Sequence, residues 1–338
     1  MIIYHRKRFR FFDSSPVVAR SEKQLALIAS FNARSQATGN FFEKVPCLCG
    51  CQVFDVLAAN DGQGLFQQSV ICQKCGLVQS NPRMTEENTR EFYESDRYRD
   101  IYSSEASEDL QFEWSHSEGT GLTEHNYQII NGFRSITSDL NILEFGAFSG
   151  TNLLPFMRHG AKCTGIDLSK IGVDTGPKHG VNMIHGGLEE VEGKYDIIIL
   201  SHVLEHLLHP ISVLEKLKEH LVDTGIFYIA VPNIQVFHMG QIQNSHTYYF
   251  CPESLAYFVS LAGLELKQAG VQGDIHQYGI FQPGNSSPNE ERLSLSKKSG
   301  YRTIYRFIAI NMLKNFARRI GVFSYLKRLK KSMSPRVL

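Results

Sequence analysis

The chain has 338 residues, 42% hydrophobic and 20% charged, with a net charge of +1, so it carries enough apolar material for one large domain with appendages. That charge argues against global attraction to nucleic acid, and no nucleic-acid partner is expected. No run of about 18 apolar residues is present to cross a membrane, and the basic start "MIIYHRKRFRFF" lacks the apolar stretch of a secretory signal, so a cytoplasmic protein is expected.

Residues 1–44 read as an N-terminal extension in which "SEKQLALIASFNAR" forms a short helix behind a capping Ser. Residues 45–82 change character. Short β-prone runs alternate with Asp-Gly and Gln-Gly turns between two cysteine knuckles, the pattern of hairpins. Five of the seven cysteines crowd between Cys47 and Cys75, and in a reducing compartment such clustering points to metal rather than disulfides. Cys72-x-x-Cys75-Gly is a zinc knuckle, and four thiolates close a structural site. The preferred set is Cys47, Cys49, Cys72 and Cys75, because Cys49-Gly50 mirrors Cys75-Gly76; Cys47 with Cys51 is the alternative. Cys163 and Cys251 stand alone and read as core. Residues 83–122 read as a helical, Tyr-rich linker or lid, with Tyr93 and Tyr98 over a pocket or simply packed.

From residue 123 to 282, short apolar strands such as "NILEF", "AKCTGID", "KYDIIIL" and "GIFYIAV" alternate with helical segments. That alternation predicts an α/β, Rossmann-like parallel sheet buried on both faces. In "NILEFGAFSGTNLL" only Gly146 and Gly150 remain of the glycines a dinucleotide site uses to approach a pyrophosphate. A ligand without phosphate needs no more, and S-adenosylmethionine is such a ligand. Asp167, about 20 residues on and at the end of the next strand, suits the ribose hydroxyls. Glu144, before the turn, suits an amino-acid ammonium or the bracing of the loop.

The ordered blocks "ILEFGAFSG", "GIDLS", "KYDIIILSHVLEHLLHP", "GIFYIAVPN" and "HTYYFCPESLAYFVSLAGLEL" resemble a class I S-adenosylmethionine-dependent methyltransferase over roughly residues 123–270. The resemblance implies a seven-stranded sheet with a reversed hairpin at one edge. It carries cofactor contact onto Glu144, Gly146, Ala147, Gly150, Asp167, Leu168, Gly187 and Leu188, and places Ser201 and His202 toward the methionyl end and the acceptor. The chain departs from the family at Ala147 and at Phe148, where the middle glycine normally stands.

His202, Glu205 and His206 follow a strand end, and a helix starting near Ser201 would put them on one face. Methyl transfer needs positioning and a base, and His is the side chain best suited to that at neutral pH. The trio is open to three readings: a structural signature, acid/base or acceptor contact, or a divalent-cation site like the Glu-x-x-Glu-His block of ubiquinone-type O-methyltransferases. His246, in "NSHTYYF", is a further candidate on the acceptor side. The ribbon ahead of the domain resembles that of sugar C-methyltransferases and glycan-modifying methyltransferases. It implies a small-molecule or glycan acceptor and polysaccharide biosynthesis, with a quinone or small aromatic acceptor, or a non-catalytic scaffold, as alternatives. Residues 283–338 read as a linker and a basic, amphipathic tail. Thirteen basic and no acidic residues follow Glu291, with Ile304, Phe307, Ile308 and Phe316 among the interleaved apolar ones. Such a tail suits peripheral contact with anionic lipid or packing on its own domain or a partner.

Overall fold

The computed structural model describes residues 16, 20–95, 97–102, 122–236, 242–272, 275–284 and 290–319. The expectations for the first fifteen residues, for the segment 103–121, for the Tyr98 side chain and for the tail past 319 lie outside the described residues.

Helix α1 (Glu22–Ala37) starts where Ser21 accepts from the Gln24 amide and the Gln24 side chain accepts in return from Ser21. It buries Ile28 and Phe31 against Phe41 and Phe92. Strand β1 (Phe42–Glu43) is followed by the antiparallel strands β2 (Phe54–Asn60), β3 (Phe66–Cys72) and β4 (Val78–Ser80), and β5 (Arg83–Met84) pairs back onto β1. The expected boundaries after residues 44 and 82 therefore cut through a ladder. Helices α2 (Glu86–Glu94) and α3 (Arg97–Tyr102) come next, with Thr85 capping α2.

After helix α4 (Leu122–Phe133) the chain alternates: β6 (Asn141–Phe145), α5 (Leu154–Arg158), β7 (Lys162–Asp167), α6 (Lys170–Thr175), β8 (Asn182–His185), β9 (Tyr195–Ser201), α7 (Pro210–Glu219) and β10 (Leu221–Pro232). Strand β11 (Tyr248–Tyr249), helix α8 (Pro252–Ser260) and the hairpin β12 (Leu264–Gln272) with β13 (His276–Pro283) follow, then helix α9 (Glu290–Arg319). The large sheet runs β12-β13-β10-β9-β6-β7-β8, parallel from β10 to β8 and antiparallel at the β12–β13 edge. Its core sits on both faces, as strand periodicity requires. On β9, Ile198 and Leu200 join Leu214, Leu217 and Phe258 on one side, while Ile197 and Ile199 join Ile130 and Phe156 on the other. Strand order reverses at β6, which opens a crevice at the carboxyl ends of β6 and β9.

The cysteine-bearing sheet is not self-contained. Strand β4 would be an open edge, and β11 from the far side of the α/β domain closes it, with Tyr248 opposite Gln79 and Tyr249 opposite Val78. Helix α9 closes the other side, and of the readings of the tail it takes the one of packing on its own domain, over residues 290–308. Its Ile304, Phe307 and Ile308 pack with Leu57, Ile71, Val78 and Tyr249. Ser296 donates to the Cys75 carbonyl at 2.9 Å, and Tyr301 donates to Asp55 at 2.8 Å. Gly300 lies against the Gly76 backbone so closely that a Cβ there would clash. Farther along, Leu313 and Phe316 are 68% and 61% exposed. None of the described helices is long and apolar enough to cross a membrane. Deleting residues 290–338 is expected to expose the apolar face of β2, β3 and β4. Each large side chain uncovered costs about 1.5–3 kcal/mol, so a thermal melt should fall by several degrees; an unchanged melt would show the docking to be of no consequence.

Candidate active site

Strand β6 delivers the glycine turn. Gly146 and Gly150 take φ of +74° and +71°, in the left-handed region that favours glycine. Side chains would not fit either: a Cβ at 146 would lie 2.5 Å from Val203 Cγ2, and one at 150 would lie 2.6 Å from Val181 Cγ1. Phe148 takes φ +52° without being glycine, a conformation that costs of order 1–2 kcal/mol. Its amide donates to Asp167 Oδ2 at 2.7 Å, and its ring covers Gly172 of α6. The amide of Ser169 donates to the other oxygen, Oδ1, at 2.7 Å. Asp167 is thus pinned by amides of two loops at the mouth of the turn.

These groups open onto a cleft of about 500 Å³, within the size range of small-ligand sites. Of the predicted residues, Gly146, Asp167, Leu168, Gly187, Leu188, His202 and His206 line it, and so does Phe148. The large residue at the third turn position has therefore not closed the pocket. Glu144, Ala147, Gly150 and Ser201 are not among its walls. Glu144 is buried behind the turn, where Oε1 accepts from Asn152 at 2.6 Å, and burial, followed by the Asp167 charge, pushes its carboxyl up to about 8. The Asn152 contact braces the loop, while Oε2 has no hydrogen-bond partner among the described residues. The Ala147 amide donates to the Ile166 carbonyl at 3.0 Å. Ser201 Oγ lies 3.4 Å from Asn126 Nδ2, turned toward α4.

The opposite wall comes from outside the α/β domain. Glu86, Thr89, Arg90 and Tyr93 of α2 face the cofactor turn across the cleft. Apart from Tyr93, sequence reading missed them, because nothing local in "TEENTREFYE" marks a helix that docks over a distant sheet.

His202, Glu205 and His206 do not share a helix. Residues 202–209 form turns, His202 takes φ +58°, and α7 begins only at Pro210. The turns nonetheless gather the three around the buried Glu205 carboxylate. His202 Nδ1 is 3.4 Å and His206 Nε2 3.9 Å from Glu205 Oε1. His246 stacks edge-on against His206 at 4.7 Å, and His276 against His202 at 4.5 Å. Burial opposes the Glu205 charge, but the His202 contact and the surrounding imidazoles hold its carboxyl down at about 2. Burial lowers His206, and takes His246 to about 3, so both stay neutral at neutral pH. Neither Glu205 oxygen nor His246 Nδ1 has a hydrogen-bond partner among the described residues.

The cysteine sheet shapes this corner. The amides of Thr247 and Tyr248 donate to the Glu205 carbonyl at 2.8 and 3.1 Å, and Ser80 Oγ donates to the His246 carbonyl at 2.8 Å. Asp61 accepts from the Asn244 amide at 2.9 Å. The knuckles themselves bring together the Sγ atoms of Cys47, Cys49, Cys72 and Cys75, all within 4.8 Å of one another. Cys47 to Cys75 is 3.4 Å and Cys49 to Cys72 is 3.6 Å, close to the ~3.8 Å edge of a tetrahedron with metal–sulfur bonds of ~2.3 Å. Cys51 turns instead toward the Val53 carbonyl at 3.6 Å, which removes it from the set.

Residues 119–269 match the family described as "Methyltransferase domain". A ubiquinone biosynthesis O-methyltransferase of Rickettsia prowazekii (strain Madrid E) is 26% identical over 153 residues, covering 39% of this chain and 61% of that protein. Its counterpart in Rickettsia canadensis (strain McKiel) is 23% identical over 153 residues, covering 39% and 65%. The chain thus spans less than two thirds of the length of these curated relatives. Among solved structures, the Burkholderia thailandensis 1,6-didemethyltoxoflavin-N1-methyltransferase, with 1,6-didemethyltoxoflavin and S-adenosylhomocysteine bound, is 14% identical at a TM-score of 0.47. It covers 62% of this chain and 96% of its own. With the strand order, the glycine turn and the terminal acid of β7 in place, residues 119–269 form a class I S-adenosylmethionine-dependent methyltransferase domain.

Proposed function

We propose that the protein methylates an oxygen or carbon of a small molecule, a sugar or glycan-biosynthesis intermediate, using S-adenosylmethionine. The observation that carries the cofactor reading is Asp167, fixed by two loop amides at the mouth of a cleft whose only Lys or Arg side chain among the described residues is Arg90. Apolar walls, a carboxylate and no phosphate cradle fit a nucleoside with a sulfonium better than a dinucleotide. Asp167 would hold the ribose hydroxyls, and Leu168 and Leu188 would flank the adenine. Bound there, S-adenosylmethionine supplies a methyl on a sulfonium that departs as a neutral thioether. The chain needs to add only position and a proton acceptor. Neutral His206, on the cleft wall, is that acceptor, and ionised Glu205 favours the imidazolium it becomes. The sugar reading rests on the resemblance of the cysteine ribbon. Zinc at Cys47, Cys49, Cys72 and Cys75 is a structural part of the same proposal.

A second reading is favoured by the orphaned atoms of Glu205 and His246. Glu205, His206 and His246 offer two imidazoles and a carboxylate within 4.8 Å of one another, a set suited to a divalent cation. It would accompany a quinone or small aromatic acceptor, in keeping with the name ubiquinone biosynthesis O-methyltransferase that the Rickettsia relatives carry. Calorimetry with S-adenosylhomocysteine tests the cofactor reading: a one-to-one binding heat is expected, and none would leave a methyltransferase-fold scaffold. A requirement for added divalent cation in turnover would favour the second reading.

A further inference from the structure

Tyr93 stands on α2, ahead of the methyltransferase domain, yet its hydroxyl reaches the domain's proposed base. It lies 2.8 Å from His206 Nδ1 and donates to the Ser245 carbonyl at 3.4 Å, with the two rings edge-on at 6.1 Å. The same Nδ1 is 3.0 Å from the Ser245 carbonyl. A carbonyl can only accept, so the Ser245 contact favours a hydrogen on Nδ1, and the Tyr93 oxygen, whose own hydrogen goes to the same carbonyl, then accepts a share of it. An opposite pull acts on the other nitrogen. Glu205 Oε1 is 3.9 Å from Nε2, and both Glu205 oxygens lack hydrogen-bond partners among the described residues. A buried, ionised carboxylate is the stronger acceptor and would draw the hydrogen to Nε2, moving the basic lone pair to the Ser245 side.

We propose that Tyr93 is a positioning residue: with the Ser245 carbonyl it keeps the His206 hydrogen on Nδ1 and leaves Nε2 to take the proton of the acceptor. The proposal rests on the reading of His206 as the base. If a cation is held at His206 instead, Nε2 is still the nitrogen presented. The N-terminal segment is then part of the active site, because without α2 the balance at His206 tips toward Glu205.

The test needs no acceptor. Full-length protein labelled with ¹⁵N-histidine, bound to S-adenosylhomocysteine, reports each tautomer through long-range proton–nitrogen correlations, with His206→Gln assigning the signals. The wild type is expected to show the Nδ1–H form at His206. In Tyr93→Phe the Nε2–H share should rise about three- to tenfold, the size of one hydrogen bond, in protein that still unfolds cooperatively. Replacing tyrosines by 3-fluorotyrosine weakens the oxygen as an acceptor without altering packing and should move the ratio the same way. An Nε2–H form in the wild type, or a ratio indifferent to both changes, overturns the proposal. Failure of S-adenosylhomocysteine to bind would overturn the cofactor reading alone, and the tautomer measurement would still decide on Tyr93.

Discussion

Asp167→Ala is expected to weaken S-adenosylhomocysteine binding by about a hundredfold or more. Two charge-assisted hydrogen bonds to ribose hydroxyls are each worth about 1.5–3 kcal/mol, and about 1.4 kcal/mol is a factor of ten. The change has a second arm. The Asp167 oxygens accept from the Phe148 and Ser169 amides, so the variant also frees a turn in which Phe148 holds a left-handed conformation. The two arms separate in Asp167→Asn, which keeps the shape and one accepting oxygen. An intermediate loss of about tenfold is expected there, with the fold intact by melting. Titration calorimetry reads all three proteins. If Asp167→Ala binds the nucleoside as tightly as the wild type, the ligand does not lie across β6 and β7, and the site is elsewhere.

The part of the site that was legible in the sequence is the part built by local chemistry. Gly146, Gly150 and Asp167 stand at a turn and a strand end, as their spacing predicted, with Gly146 and Asp167 on the cleft wall. The α/β alternation of β6 to β10 read directly, since strands buried on both faces are continuous apolar runs such as "IIIL" of β9. What did not read was anything made by long-range docking. The periodicity of His202, Glu205 and His206 suggested a helix, but the chain makes turns there, because the left-handed His202 and the pull of the 247–248 amides on the Glu205 carbonyl are tertiary facts. The placing of α9 stayed open between lipid and its own domain for a related reason. A stripe of Ile304, Phe307 and Ile308 looks the same in sequence whether lipid or a neighbouring sheet covers it, and here Leu57 and Val78 cover it. Nor does a three-stranded cysteine sheet announce that its fourth strand is Tyr248–Tyr249, well over a hundred residues away.

That borrowed strand decides the second large effect, the removal of the cysteine-site metal. Purified protein is expected to hold close to one zinc, and chelation or Cys75→Ser should lower the melting temperature well beyond the effect of any surface change, since four-thiolate zinc sites contribute folding energy directly. Cys75 is fully buried, its carbonyl accepts from Ser296, and Gly76 beside it touches Gly300, so the loss spreads into the docking of α9. It spreads also through β4. Val78 and Gln79 pair with Tyr249 and Tyr248, and Ser80 holds the His246 carbonyl, so the 242–249 segment should exchange its amide hydrogens faster once the knuckles open. The cofactor turn, carried by β6 and β7 and not by the sheet of the two knuckles, should bind S-adenosylhomocysteine nearly as before. Cys51→Ser is the matched control and should change nothing, because that thiol points to Val53 instead of into the cluster. A folded, metal-free protein whose Cys75→Ser variant melts like the wild type would remove zinc from the account. Faster exchange at 242–249 with cofactor affinity preserved would place the ribbon's role on the acceptor side of the reaction.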